Sequence, residues 1–209
     1  MGKKSKALLL ALCAVALVIV SVFSTVAYLT SQDSVTNTFT VGKVAITLDE
    51  QDVNGASSRV ESNAYHLIPG TTYTKDPTVH VDAISESCYV FVKVENGIAK
   101  IEAPATSGTS DVLAYAPIAN QIRAHGWTAL DGVQNVYYKV YTKSANAADR
   151  ELVVFDEFKI NGSVDGTTLD SYNSKTIIVT AYAVQSSGFS TAKAAWDATF
   201  GASSSSTGA

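Results

Sequence analysis

Three histidines are the side chains of this sequence best suited to bind a transition metal, and they are widely separated. They are His66, His80 and His125, and none belongs to an HExxH motif. That motif places two zinc ligands and a general base on one helical face. His80 alternates with valines in a predicted strand, and His125 ends a predicted short helix, where a helix dipole suits it. Nor does the sequence contain a GxSxG motif that would mark a nucleophilic serine. We therefore predict no catalytic site, no metal centre and no cofactor.

An acidic segment comes close to the pattern of an EF-hand calcium loop. The residues at the ligand and turn positions of that pattern are Glu50, Asp52, Asn54, Gly55 and Glu61. However, the first position holds a glutamate instead of an aspartate, and Ser57 occupies a position that is usually apolar. A predicted strand, not a helix, precedes the segment. We expect an acidic surface turn here, with calcium binding as the alternative.

Cysteine usage excludes an internal disulfide from the processed protein. Cys13 lies in an N-terminal apolar segment that we expect to be removed, which leaves Cys88 alone. Cys88 shares a predicted strand face with Val90 and Val92. We therefore predict a small buried apolar side chain and not a reactive thiol, which would need exposure and a nearby cation.

The N-terminus has the layout of an export signal. Three lysines within the first six residues precede an apolar run over residues 7–20, which Val22 and Phe23 extend past Ser21, and small residues follow at Thr25 and Ala27. Thr25 and Ala27 are the candidates for recognition by a signal peptidase, with cleavage after Ala27. Residues 1–27 are thus predicted to be a signal peptide and the protein to be secreted. The alternative is an uncleaved membrane anchor, because a run of about 17 residues is at the lower limit for crossing a bilayer.

Removal of the signal makes the chain more acidic. Residues 1–27 contain three lysines and no acidic residue, so the formal charge changes from −4 to −7. An acidic surface disfavours nucleic acid and anionic lipid as partners. We expect contact with a membrane only through the signal peptide before cleavage.

Residues 28–41 are predicted to form a strand segment that is distinct from the domain after it. An alternating pattern places Val35, Phe39 and Val41 on one strand face. After Gly42 a further strand is predicted over residues 43–48. Its apolar residues are even-numbered, whereas those before Gly42 are odd-numbered, so the apolar face changes sides. A strand cannot change phase without an extra residue or a bend, and glycine permits either. Gly42 is therefore predicted to be a hinge.

The rest of the chain predicts a mainly β fold. Further strands are expected over residues 78–81, 88–94, 136–141, 152–160 and 175–185. Short helices are expected over 117–125 and over 190–200, the second with Ser190 as its N-cap and packed on the sandwich edge. Asn161-Gly162 and Asp165-Gly166 have the composition of hairpin turns. We predict a jelly-roll-like antiparallel β-sandwich over residues 42–201 with one or two short helices, followed by a disordered Ser/Gly-rich tail over 202–209.

Several segments together resemble the TasA/camelysin family of secreted proteins from Gram-positive bacteria. The segments are TVAYLT, SVTNTFTVGKVAITLDE, LIPGTTYTKDPTVHV, CYVFVKVENG, GWTALDG, VYYKVY, VTAYAVQSSGF and AAWDATF. The resemblance covers nearly the whole chain. It implies a jelly-roll sandwich, export through a signal peptidase of the SipW type, and a place in the extracellular matrix or on the cell surface. TasA members of the family build the extracellular fibres of biofilms.

The resemblance also implies how such fibres would form. In those fibres the N-terminal segment of one subunit completes a sheet of the next, which is β-augmentation. Here the donor would cover about Tyr28–Thr40, starting at Tyr28 and Leu29, with Val35 and Phe39 as anchors. The partners would be copies of the protein or related matrix proteins. The alternatives are that this segment pairs within its own chain as an edge strand, and that the protein is a surface adhesin or binding module that does not polymerise.

Camelysin carries a metallo-endopeptidase activity, which the resemblance imports as a third function. The scattered histidines do not support it, so a structural protein is the preferred expectation and a protease the least favoured.

Overall fold

A computed structural model describes three stretches of the chain and three isolated positions near its N-terminus. These are residues 42–55, 58–108 and 114–201, with Gly2, Ser5 and Cys13. The chain divides into two compact units, Met1–Val41 and Gly42–Ala209. The fold given below is that of the second unit.

Ten strands and three α-helices form the described part of this unit. The strands are β1 (Ile46–Gln51), β2 (Arg59–Val60), β3 (Thr72–Thr74), β4 (Thr78–Val81), β5 (Cys88–Asn96), β6 (Thr128–Ala129), β7 (Val136–Tyr141), β8 (Glu151–Val153), β9 (Glu157–Lys159) and β10 (Ile177–Gln185). The α-helices are α1 (Ile118–Ala124), α2 (Gly166–Asp170) and α3 (Ala192–Thr199), and a 3-10 helix covers Ala148–Arg150. One more α-helix is present than the sequence predicts, because the short α2 was expected to be a turn.

The strands make two four-stranded antiparallel sheets and one two-stranded sheet. The orders are β2-β1-β4-β8, β10-β5-β7-β6 and β3-β9. The main core lies between the sheets and contains Val79 and Val81 from β4 with Val90 and Val92 from β5. The predicted mainly β antiparallel sandwich is therefore confirmed.

Strand β5 is the central element, as its apolar residues on both faces predict. It pairs with β10 on one side and with β7 on the other. Cys88, Val90 and Val92 face the main core and are fully buried. Phe91 points to the opposite face and is also fully buried, in a second core under α3. Two-sided burial explains why the first half of this strand is apolar on both faces, before Lys93 and Glu95.

Helix α3 covers a sheet face, so the predicted position at the sandwich edge is wrong. The Trp196 ring packs against Phe91 and Tyr182, with centroids 5.1 and 5.5 Å away. Phe91 is on the central strand, which places the helix over the middle of the sheet. The N-cap is Thr191 and not Ser190, since the Thr191 hydroxyl accepts a hydrogen bond from the Ala194 N–H at 3.1 Å.

The predicted single strand over residues 152–160 is two strands in different sheets. Strand β8 pairs with β4, whereas β9 pairs with β3. The bend between them contains Val154 and Phe155, both fully buried. The bend is held by Gln121 of α1, whose Oε1 accepts hydrogen bonds from the N–H groups of Asp156 (2.9 Å) and Glu157 (3.2 Å). The sequence has no glycine or proline to mark this bend, which a distant side chain stabilises.

Two local predictions near turns are also corrected. The strand expected from residue 43 begins at Ile46, because Lys43 and Ala45 bond to the loop after β4 instead of to β4 itself. The Ser85 hydroxyl donates to the Ala45 carbonyl at 3.0 Å. The expected hairpin turn at Asp165 is the start of α2, where the Asp165 carboxylate accepts from the Thr168 N–H at 2.7 Å.

No helix in the described residues has the length and apolar character needed to cross a membrane.

Candidate functional site

In the part of the chain that the structure describes, two strand edges without a partner face one opening of the sandwich. Strand β10 is the last strand of its sheet, and its pairing partner β5 lies along one side only. Strand β1 pairs with β4 through Ile46–Asp49, while β2 occupies its other side only at Glu50 and Gln51. Across the described stretches, no strand pairs with the second edge of β10 or with the first four residues of β1. Unpaired edges are templates for added strands.

A groove of about 610 Å³ lies between these edges. We call it the edge groove. Its apolar lining includes Leu48 of β1 and Ile177 and Val179 of β10. These three side chains pack on the main core and are only partly buried. Covering them with another apolar strand would remove more apolar surface from water, which favours association.

A buried ion pair lies at one end of the edge groove. Lys75 and Glu50 are only 9% and 4% exposed, and the Lys75 Nζ contacts the Glu50 Oε2. The other carboxylate oxygen accepts a hydrogen bond from Asn63 Nδ2 at 2.9 Å. Lysine and glutamate are seldom buried unless they are paired. Both charges are compensated within the cluster.

A second charged cluster fixes β1 to its neighbours. The Asp49 carboxylate contacts the Arg59 guanidinium and accepts from His80 Nε2 at 2.9 Å. Arg59 also bonds to the Asp76 carboxylate at 2.9 Å. Burial acts to raise the pKa of Asp49, but the hydrogen bonds and positive charges of Arg59 and His80 outweigh it and lower that pKa. Asp49 is therefore ionised at neutral pH, and its carboxylate links β1 to β2 and to β4.

The histidines are placed apart from one another. His80 is half-buried beside Asp49, His125 bonds to the Asp156 carboxylate at 2.8 Å, and His66 is exposed. Within residues 42–55, 58–108 and 114–201, no group of three histidine, cysteine or acidic side chains is arranged to hold a metal ion.

The segment compared with a calcium loop is built differently from an EF-hand. Glu50 lies in β1 and is buried against Lys75, so the predicted surface turn is wrong for this residue. Its two oxygens are both occupied by protein donors. Asp52 accepts a hydrogen bond from the Asn54 N–H at 2.8 Å, which stabilises a local turn.

Cys88 is fully buried in the main core, as predicted. Burial raises the pKa of its thiol to about 11. The thiolate, which is the reactive form, is therefore scarce at neutral pH.

Most of the residues predicted for processing and assembly lie outside the described part of the chain. These are Thr25, Ala27, Tyr28, Leu29, Val35, Phe39 and Val41. Gly42 is described: it is exposed, and a Cβ added to it would contact the side chains of Glu86 and Gln185. The domain therefore starts beside the C-terminal end of β10.

Sequence patterns missed the features that define this site. No motif or periodic pattern in the sequence identifies Lys75 or Asn63 as a partner of Glu50. Glu50 is 25 residues from Lys75 and 13 from Asn63 in the chain, so only the tertiary fold brings the three side chains together. The buried position of Glu50 has one sequence signal: it continues the parity of Ile46 and Leu48 along β1.

Comparisons of the chain with family models, with curated proteins and with solved structures gave no match.

Proposed function

We propose that this protein is a secreted structural protein of the extracellular matrix or cell surface, whose subunits assemble by strand donation. Residues 28–41 of one copy would pair with the open edge of β10 in the next, after a SipW-type signal peptidase has removed residues 1–27. The observation that carries the proposal is the edge groove, where one edge of the nine-residue strand β10 has no partner among the described residues and lies beside partly buried apolar side chains. Added main-chain hydrogen bonds would give affinity, and alternate side chains would set the register.

The free edge of β10 presents the backbone groups that an added strand requires. The Ser186 N–H donates to the Ser87 carbonyl beside β5. Because backbone groups alternate in direction along a strand, Thr180, Tyr182 and Val184 also bond toward β5. The odd-numbered residues then direct their N–H and C=O groups outward, and Ala181 is in the middle of this set. These outward groups are the proposed acceptor.

The proposed donor matches this edge in length and pattern. Thirteen residues over 28–40 extend about 43 Å, which exceeds the roughly 30 Å of a nine-residue strand. Val35 and Phe39 share one face and would enter the edge groove against Ile177 and Val179. Each subunit would carry one donor and one acceptor, so donation would join subunits head to tail, which yields open filaments unless the rotation closes a ring.

Electron microscopy of the processed protein tests the assembly. We expect fibres from the wild-type protein and none from a variant that lacks residues 28–40. Single particles of the wild-type protein at every pH and concentration tested would refute the proposal, as would fibres of the deletion variant.

A proline pair tests which edge accepts the donor. Ala181→Pro removes an outward N–H from β10 without removing a bond to β5, so we expect it to stop fibre growth and keep the fold. The matched control is Ala129→Pro on β6, the opposite edge of the same sheet, which should still give fibres. Circular dichroism verifies that both variants fold. Normal fibres from a folded Ala181→Pro variant would exclude β10 as the acceptor.

The second candidate is a surface binding module, and the size of the edge groove favours it. Polar and aromatic side chains, including Tyr172 and Asn173, line part of the cavity. A pocket of this volume is large enough for a small ligand. A wild-type protein that stays monomeric and binds a saccharide or peptide in this groove would support the binding module over the fibre.

A further inference from the structure

Three side chains beside the edge groove have the chemistry of a covalent cross-link. Lys75 carries an amine, Asn63 a carboxamide, and Glu50 a carboxylate that contacts both. We propose that Lys75 and Asn63 become joined by an intramolecular isopeptide bond, with Glu50 as the proton carrier. The inference does not depend on fibre formation, because every group belongs to one subunit.

Glu50 brings the two reacting groups to a single carboxylate. Its Oε2 contacts the Lys75 Nζ, and its Oε1 accepts from Asn63 Nδ2 at 2.9 Å. One oxygen can therefore take a proton from the amine while the other faces the nitrogen that would leave. Positioned groups of this kind perform general acid–base catalysis, and their fixed placement replaces a chance encounter between reactants.

The Asn63 amide is oriented by both of its ends. Its Oδ1 accepts a hydrogen bond from the Val53 N–H at 3.1 Å, and its Nδ2 also donates to the Gln51 carbonyl at 2.7 Å. A backbone N–H directed at this oxygen would stabilise the negative charge that develops there during nucleophilic attack. The amide is thus held at its oxygen by a backbone donor and at its nitrogen by the carboxylate that also contacts Lys75.

Aromatic side chains pack beside the buried ion pair. The Lys75 Nζ lies 5.9 Å from the centroid of the Tyr65 ring, and Tyr65 packs against Phe158 at 5.1 Å. Burial, followed by the negative charge of Glu50, raises the pKa of the Tyr65 hydroxyl well above its usual value. A buried ion pair is costly to desolvate, whereas its neutral form is not. The proposed transfer of a proton from Lys75 to Glu50 would remove both charges from these buried side chains.

The reaction balances without an oxidant or a co-reactant. Glu50 takes a proton from the Lys75 ammonium, and the neutral amine attacks the Asn63 Cγ, which places a negative charge on Oδ1. Glu50 then protonates the Asn63 nitrogen and takes a second proton from the Lys75 nitrogen. The C–N bond to Nδ2 breaks and ammonia leaves. The products are a secondary amide between Lys75 and Asn63, one ammonia molecule and a protonated Glu50, so a neutral carboxyl and amide replace the ion pair.

The bond would strengthen one wall of the edge groove. Asn63 follows β2, and Lys75 lies between β3 and β4. The cross-link would close the chain between them into a ring that includes Tyr65. A subunit with this ring would resist forced opening of that wall, which suits a protein under tension outside the cell.

Intact mass spectrometry of the folded full-length protein tests the bond. The wild-type chain should be lighter than its sequence mass by one ammonia molecule, with the N-terminus determined independently. K75A and E50Q should each have their full sequence mass, because they lack the nucleophile and the proton carrier. A matched control is K93A, since Lys93 forms an exposed ion pair with Glu95, and it should keep the loss of ammonia. A wild-type chain at its full sequence mass overturns the proposal.

A peptide map distinguishes the cross-link from cyclisation of Asn63 on its own backbone, which also releases ammonia. We expect one branched peptide that joins the fragments containing Asn63 and Lys75, with no tryptic cleavage after Lys75. Linear fragments, or an ammonia loss at Asn63 that persists in K75A, would contradict the isopeptide bond. The wild-type map gives this answer even if a variant fails to fold.

Discussion

The negative charge of Asp49 makes the stability of the domain depend on pH. Its pKa is lowered from 3.8 because the hydrogen bonds and charges of Arg59 and His80 outweigh the effect of burial. A carboxylate with a lowered folded-state pKa stabilises the fold fully above its unfolded pKa. That contribution disappears as the pH falls through the folded value. The relevant window therefore begins at about pH 4 and extends to more acidic conditions.

Urea unfolding across this pH window checks the role of Asp49. We expect the free energy of unfolding of the wild-type protein to fall more steeply below about pH 4 than that of Asp49→Asn. Glu95→Gln is the control, because its half-exposed ion pair with Lys93 is of the kind that contributes little. Parallel pH profiles for the wild-type protein and Asp49→Asn would show that Asp49 does not have this role.

For single residues, the sequence predicts the direction in which a side chain points better than it predicts the residue that the side chain contacts. The alternation around His80 predicts that its side chain points away from Val79 and Val81, and both valines are buried while His80 is not. Its partner Asp49 is 31 residues away in the chain, and no local pattern identifies it. The sequence predicts Glu50 in a surface turn, because a buried acid needs a cation as its partner. That partner is Lys75, which is 25 residues away and which no local pattern identifies.

Gln121 of α1 stabilises the bend between β8 and β9. It is 8% exposed, and its amide nitrogen donates to the carbonyls of Ala116 (2.6 Å) and Glu157 (2.9 Å). Its amide oxygen accepts from two N–H groups in the bend between β8 and β9. Leucine fills a similar volume but leaves these buried backbone groups without partners.

We predict that Gln121→Leu lowers the free energy of unfolding by about 3 kcal/mol, measured by chemical denaturation. The control is Asn120→Leu, which changes an exposed neighbour on the same helix and should alter stability by less than about 0.5 kcal/mol. Equal effects of the two changes would show that the bend does not need Gln121.

Elements with clear flanking signals are the ones that the sequence predicts well. The strands over residues 78–81 and 136–141 have the expected bounds, and α1 lies within the expected range 117–125 but begins one residue later, after Pro117. The sequence from 152 to 160 has no glycine or proline to mark its bend. A tertiary contact from α1 creates that bend, so a local pattern could not reveal it.

For the molecule as a whole, the sequence predicts a sandwich but not where the sandwich is open. Periodicity identifies the strands and their apolar faces. It does not state which strands are last in their sheets, because pairing order depends on contacts between distant residues. The edge groove arises from such an order: β1 and β10 are more than 120 residues apart, yet their unpaired edges line one cavity.

The central claim is that residues 28–41 of one subunit bind the open edge of β10 in another. The most direct test is nuclear magnetic resonance of the labelled domain starting at Gly42, titrated with a synthetic peptide of residues 28–41. A scrambled peptide is the control. We predict saturable one-to-one binding, with the largest amide shifts at Val179, Ala181 and Ala183. Shifts confined to the β6 edge, or none at saturating peptide, would contradict strand donation at β10.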